Sequence, residues 1–257
     1  MSQLVDRTIT ALRSEHDMLA GLVRTFTDEQ LAFTSGAAEW TVAQVLSHLG
    51  SGAEIGRAPI ARAVGETVAA EDNQTIWARW DASAPRAQAE GFLEHNGRWL
   101  ETVEALTPEQ RSSLTVDLGF WPEPVPLLSA LGMRFNEVAN HSWDVRVAFD
   151  PHAGVDADSA AVLVDLLGGP MSFLLGFLGK PAELAAPVSV AIPGAGLVID
   201  DAVTVVDHLE SPSARLDGPQ EAFIRLINGR LKAPHDNGVT VEGSVTLDDL
   251  RRVFPGF

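Results

Sequence analysis

The chain has no cysteine and no tyrosine, and its only lysines are Lys180 and Lys232. Without cysteine there is no disulfide, no thiolate metal ligand and no cysteine nucleophile. Without tyrosine no phenol can serve as acid or base. Any thiol chemistry must therefore use a thiol brought in from outside. Positive charge is scarce: 18 Lys and Arg stand against 35 Asp and Glu, for a net charge of −17. That balance argues against nucleic acid, whose binding depends on neutralising phosphates, and against anionic membrane surfaces. Long apolar runs are also missing. The longest, residues 171–178, is far shorter than a bilayer span and contains Gly176. The N-terminus has no basic-then-apolar leader, and Asp6 and Glu15 arrive early. The expectation is a cytoplasmic protein with no nucleic-acid and no membrane partner.

What is present is globular. Hydrophobic residues are 46% and charged residues 21% of 257, enough for one large or two modest domains. Apolar residues recur at helical spacing over residues 4–26, 86–106 and 126–149. Thr27-Asp28-Glu29-Gln30 and Thr107-Pro108-Glu109-Gln110 have the form of a capping box. Thr41 and Gln44 repeat it at the start of a helix running to about Val64, with Trp40 and Val45 placed as a hydrophobic staple. Gly50, Gly52 and Gly56 weaken that helix, which close packing of another backbone or of a ligand would explain. Four long helices predict a bundle, with the long connection between the second and third. After Pro151 the pattern changes. It predicts one helix over residues 159–178, then strands at 188–192, 203–206 and 215–216. A helix over 219–231, a strand at 239–242 and a last helix over 247–253 follow. The fold class is α+β: a helical bundle over residues 1–152 and a small α/β domain over 153–257.

Gly132-Met133-Arg134-Phe135-Asn136-Glu137 continues into His141-Ser142-Trp143-Asp144. In a helix, Arg134, Glu137, His141 and Asp144 share one stripe. A carboxylate and an imidazole one turn apart can reach a single metal ion, and His48, on the second long helix, is a third candidate. The bland alternative is a salt-bridged stripe in which Arg134 satisfies Glu137, with His48 a satisfied core histidine. Asp144 either orients His141 or serves as a cap or ion-pair partner. Either way the stripe lies in apolar surroundings, where an unpartnered carboxylate is costly.

The motifs together, with Trp40-Thr41-Val42 and Leu46-Ser47-His48-Leu49, resemble the mycothiol-dependent maleylpyruvate isomerase family. Gly218-Pro219, Leu226-Ile227-Asn228-Gly229-Arg230 and Val241-Glu242-Gly243 are similar to that family's C-terminal part. The resemblance implies a DinB-like four-helix bundle followed by a small sterol-carrier-like domain. It implies a divalent metal, usually Zn2+, on His48, Glu137 and His141, with Arg134 and Asp144 beside the cofactor. It implies mycothiol as thiol cosubstrate and a small-molecule electrophile whose carboxylates meet Arg79 and Arg230 as catalytic residues. The expected activity is isomerisation or S-transfer by an ionised thiol, in a monomer or homodimer. A hydrolase using metal-activated water and a non-catalytic small-molecule-binding protein are the rival classes.

Overall fold

Three helix starts are built in the same way. Thr27, Thr41 and Thr107 each accept the backbone N–H of the glutamine three residues on, whose side-chain oxygen accepts the threonine N–H in return. Two otherwise unpaired donors are satisfied at each end, so the sequence dictates where these helices begin. The computed structural model describes residues 2–69, 71–236 and 238–256. They divide into two compact units, Met1–Asp150 and Pro151–Phe257.

The first unit contains α1 (Ser2–Val23), α2 (Asp28–Leu31), α3 (Val42–Ala63), α4 (Asn73–Asp81), α5 (Pro85–Glu104), α6 (Pro108–Ser113), a two-stranded ribbon β1 (Thr115–Val116) and β2 (Val125–Pro126), and α7 (Leu127–Arg146). The four long helices form the bundle, with α1 and α3 each packed against α5 and α7. Gly50 faces Phe92, Glu54 faces His95 and Gly56 faces Trp99, so α3 and α5 run parallel. Parallel neighbours need a long crossover, and residues 64–84, which carry α4, supply it. The connection over 105–126, which carries α6, β1 and β2, is equally long. His48 facing Glu137 and Gly52 facing Arg134 make α3 and α7 antiparallel. The glycines in α3 are explained by contact: a Cβ on Gly50 would lie 2.2 Å from the Trp80 ring and 3.1 Å from the Phe92 Cα.

One polar chain crosses all four bundle helices. Arg134 Nη2 donates to the Leu49 carbonyl and to Asn96 Oδ1, both at 2.7 Å. That fixes the Asn96 amide, so its Nδ2 is the donor to His16 Nδ1 at 2.7 Å. His16, 5% exposed, is therefore an acceptor at Nδ1 and neutral. Burial, with the Arg13 cation adding to it, pushes the imidazole from 6.5 down to about 4. The unfolded chain takes up this proton near pH 6.5 and the folded one only near 4, so stability present at neutral pH is lost as pH falls through that window. The shift corresponds to about 3 kcal/mol. In His16→Gln, urea unfolding at pH 7 and at pH 4 should show a loss smaller by about 2–3 kcal/mol than in wild type. Equal losses would refute a neutral His16.

The second unit contains α8 (Ala157–Leu167), α9 (Ser172–Leu178), β3 (Val188–Ile192), β4 (Ala195–Ile199), β5 (Val203–Val206), β6 (Ala214–Asp217), α10 (Gln220–Ile227), β7 (Thr240–Gly243) and α11 (Leu247–Val253). The sheet order is β5-β4-β3-β6-β7, antiparallel except for the β3–β6 pair. Val188, Val190 and Ile192 face inward in strict alternation, as a sheet with one buried face requires. Two expectations are corrected. The single helix over 159–178 is two helices bent by 95°, because Gly168-Gly169-Pro170 breaks the helix and Pro170 has no N–H to continue it. Strand β4 was not anticipated. Gly194 at φ +83° turns the chain straight back from β3, and Gly196 leaves room for Leu209, whose Cγ would be 2.4 Å from a Cβ there. Among the described residues no single helix is long and apolar enough to cross a bilayer.

The second unit also holds a buried ion pair. Arg225 is 0% exposed and grips Glu221 through Nε at 2.6 Å and Nη2 at 2.8 Å, while Nη1 donates to the His235 carbonyl. Glu221 accepts the Val155 N–H at 3.1 Å. One turn of α10 thus fastens the segment after Pro151 and the loop before β7.

Candidate metal centre

His48 enters from the second turn of α3, and Glu137 and His141 from successive turns of α7. The capping box at Thr41 sets the phase of α3. The antiparallel packing then brings three donors from residues 89 apart to one place. One ligand atom from each of His48, Glu137 and His141 lies within 4.8 Å of the others. Glu137 Oε2 is 2.9 Å from His48 Nε2 and 3.5 Å from His141 Nε2. His141 Nδ1 is 2.8 Å from Asp144 Oδ2, and the Asp144 side chain is fully buried. With Nδ1 donating to Asp144, Nε2 is the nitrogen that faces Glu137 and the shared space, and it is the one a metal would take in place of a proton. The His48 and Glu137 side chains are 39% and 46% exposed, so the cluster opens to solvent on one side.

The electrostatics match a place built for a cation. Burial alone would raise Glu137, but bonds from His141 and His48 outweigh it and hold the carboxylate far below its ordinary range. Burial would lower His141, but Asp144 and Glu137 hold it above the ordinary imidazole value. Two imidazoles and a carboxylate are a donor set that zinc accepts with a coordination position left over. Asp144 is itself held in place: Gly36 donates its N–H to the Asp144 carbonyl at 2.8 Å, and a Cβ on Gly36 would lie 2.9 Å from Asp144 Oδ1. Replacing Asp144 by Asn should weaken zinc binding about 10–100-fold in a chelator-competition titration, because the carboxylate that fixes the His141 tautomer is gone. Unchanged affinity would leave Asp144 as packing only.

Trp40 was read from sequence as a helix staple. In the structure its ring lies 5.2 Å from that of His48 and 6.0 Å from that of His141, stacked on the latter at 23°. It walls one side of the centre, and an aromatic one residue before the Thr41 cap was the only hint. Arg134 does not pair with Glu137; its Nη2 holds Leu49 and Asn96 instead. Burial pushes its guanidinium down to about 10, with Glu137 acting the other way, so it remains a cation. Arg79 is not brought to the three donors. It forms ion pairs with Glu54 at 2.8 Å and Glu71 at 3.2 Å, and Glu54 also accepts the Trp80 indole N–H at 2.7 Å. Arg230 lies in the second unit, with Nη1 on the Asn228 carbonyl at 3.1 Å.

The family model described as the mycothiol maleylpyruvate isomerase N-terminal domain matches residues 12–146. Two crystal structures share the fold of the chain. One is of a single-site mutant of the mycothiol-dependent maleylpyruvate isomerase, at 17% identity and a TM-score of 0.62, covering 94% of each chain. The other is of the mycothiol-dependent maleylpyruvate isomerase itself, at 16% identity and a TM-score of 0.62, again covering 94% of each chain. No curated protein sequence matches.

Proposed function

Because the chain belongs to the family of the mycothiol maleylpyruvate isomerase N-terminal domain, we propose that it is a metal-dependent enzyme that uses a low-molecular-weight thiol, mycothiol, to isomerise or conjugate a small electrophile such as a maleylpyruvate-like acid. The observation that supports this most is the convergence of His48, Glu137 and His141 within 4.8 Å at a solvent-open face. Those three residues would hold a divalent ion, zinc by its preference for this donor set. When bound, the ion supplies positive charge that favours the ionised form of a thiol near neutral pH.

The chain's own groups then do the rest. Asp144 keeps the His141 proton on Nδ1. Trp40 covers one side of the two imidazoles and limits access of water there. With no cysteine anywhere, no thiol of the chain competes with the cosubstrate. In the isomerase version, the thiolate sulfur bonds to one carbon of a cis double bond conjugated to a carbonyl, and the electron pair moves onto that carbonyl. The former double bond rotates, the pair returns, and the carbon–sulfur bond breaks, giving the trans acid and the thiol unchanged. In the transferase version the carbon–sulfur bond stays, and the electron pair is quenched by a proton from water at the neighbouring carbon, giving the saturated conjugate. Binding in one orientation is what the protein adds to either.

The test is turnover of maleylpyruvate by zinc-loaded protein with and without mycothiol. Turnover that requires the thiol supports the reading. Product formed equally well without thiol overturns it in favour of hydrolysis or another chemistry.

A further inference from the structure

The second half of α3 borders a cavity of about 740 Å3, none of whose lining residues is a candidate metal donor. Its walls come from α3 beyond Glu54, the crossover that carries α4, the α5 residues His95 and Arg98, and the β1–β2 ribbon. A space of that size suits a small organic ligand. It is set apart from the candidate metal centre. Arg57 follows His48 by nine residues, two and a half turns of α3, so it projects from the opposite face about 13.5 Å further along. Arg62 stands about 7.5 Å beyond Arg57.

Local chemistry keeps the cavity open. Arg79 pairs with Glu54 of α3 and Glu71 of the crossover, which ties one wall to the other. Asp117 Oδ1 accepts the Gly119 N–H at 2.9 Å, and Gly119 takes φ +75°, a value that costs glycine little. That turn out of β1 presents Phe120, which lines the cavity and is 71% exposed, the most of any large apolar side chain described. Ile55, Val68 and Ile76 add apolar wall. The carboxylates of the lining are engaged: Glu54 and Glu71 by Arg79, and Asp117 by its own turn. Arg98 pairs with Glu94 at 2.8 Å. Arg57 lies 3.8 Å from Glu66, beyond hydrogen-bond distance. The Arg62 side chain makes no hydrogen bond or ion pair with a described residue. Two guanidiniums are thus left for a ligand, in a chain of −17 net charge.

We propose that this cavity is a second ligand site, separate from the metal centre, for a small organic anion. The ligand's aromatic or aliphatic body lies against Phe120, Ile76 and Val68, and its one carboxylate or sulfonate meets Arg57 and Arg62. Burial of apolar surface supplies affinity. The guanidiniums, always charged and weakly hydrated, select the anion. Nothing in this depends on what the donor cluster binds.

The probe is anilinonaphthalene sulfonate, whose fluorescence rises in apolar surroundings. Phenylnaphthylamine, the same body without the sulfonate, is its neutral control. Both are titrated into the intact chain as wild type, as Arg57→Gln with Arg62→Gln, and as Ala58→Phe, which fills the cavity from α3. Thermal melting is measured on each protein. Wild type should bind the sulfonate saturably and roughly tenfold more tightly than the neutral control. The double arginine variant should lose about that tenfold and bind the neutral control within about twofold of wild type. Ala58→Phe should weaken both probes by roughly tenfold or more. A metal chelator should change neither affinity while the fold is intact. The proposal is overturned by equal affinities of the two probes for wild type, by no saturable binding, or by an arginine variant that binds the sulfonate as wild type does. Binding that disappears with the metal also overturns it, because the probe then sits at the donor cluster. If Ala58→Phe fails to fold, the arginine variant decides, since Arg57 is half-buried and Arg62 exposed, and neither anchors the core.

Discussion

His48→Ala, Glu137→Ala and His141→Ala should each purify folded and without metal, whereas wild type should hold about one zinc per chain. Each donor contributes to a site that needs three, so loss of one is expected to weaken zinc binding by at least two orders of magnitude and to reduce thiol-dependent turnover to background. None of the three is buried in the apolar core: two are more than a third exposed, and His141 lies at the edge. Circular dichroism should therefore change little. Elemental analysis is the measurement. A wild type that neither retains zinc nor takes it up on addition would sink the metal reading and leave a polar cluster of hydrogen-bonded imidazoles and carboxylates.

Arg225→Met should be the most damaging single change outside that centre. The substitution leaves Glu221 charged, buried and facing a thioether, and it releases the His235 carbonyl. Breaking a buried pair by removing one partner costs about 3–5 kcal/mol, enough to unfold a domain of ordinary stability. Glu221→Leu combined with Arg225→Met should recover a large part of the loss, since two apolar side chains leave no stranded charge. Chemical denaturation of the intact chain, followed by circular dichroism, separates the outcomes. A single mutant as stable as wild type would mean that Glu221 regains solvent when its partner is removed.

The parts of this fold that were legible in the sequence are those fixed by local chemistry. The Thr-x-x-Gln boxes announced three helix starts because the two bonds they make involve only neighbouring residues. The strand at 188–192 was legible from alternation. The break at Gly168-Gly169-Pro170 was overlooked because the apolar period continues across it, and period is blind to a lost N–H. Strand β4 was hidden by Gly196, whose reason is Leu209, a residue that only the folded sheet brings near. The same limit applies at the centre. The spacing of Glu137 and His141 put them on one face and made His48 a third candidate, but nothing local ties His48 to them, and the family resemblance is what favoured joining the three over a salt-bridged stripe. Arg79 came from the family resemblance and not from its sequence surroundings. Its carboxylate partners come from α3 and from the crossover, so its neutralisation was invisible along the chain. The burial of Arg225 was likewise invisible, because a charge on an amphipathic helix normally marks the wet face.

The 89 residues that separate His48 from Glu137 have a consequence for the life of the molecule. Docking α3 onto α7 closes a very long loop, and the three donors exist as a set only while that loop is closed. An ion that recognises the set binds the native bundle and not the open chain. Zinc at one hundred times its dissociation constant would then add about 2.7 kcal/mol to the bundle's resistance to unfolding. The melting temperature becomes a reading of how much metal is available. Starvation for the ion would not only silence the centre but loosen the clasp between the helices that carry it, exposing the chain to proteolysis before any activity is assayed.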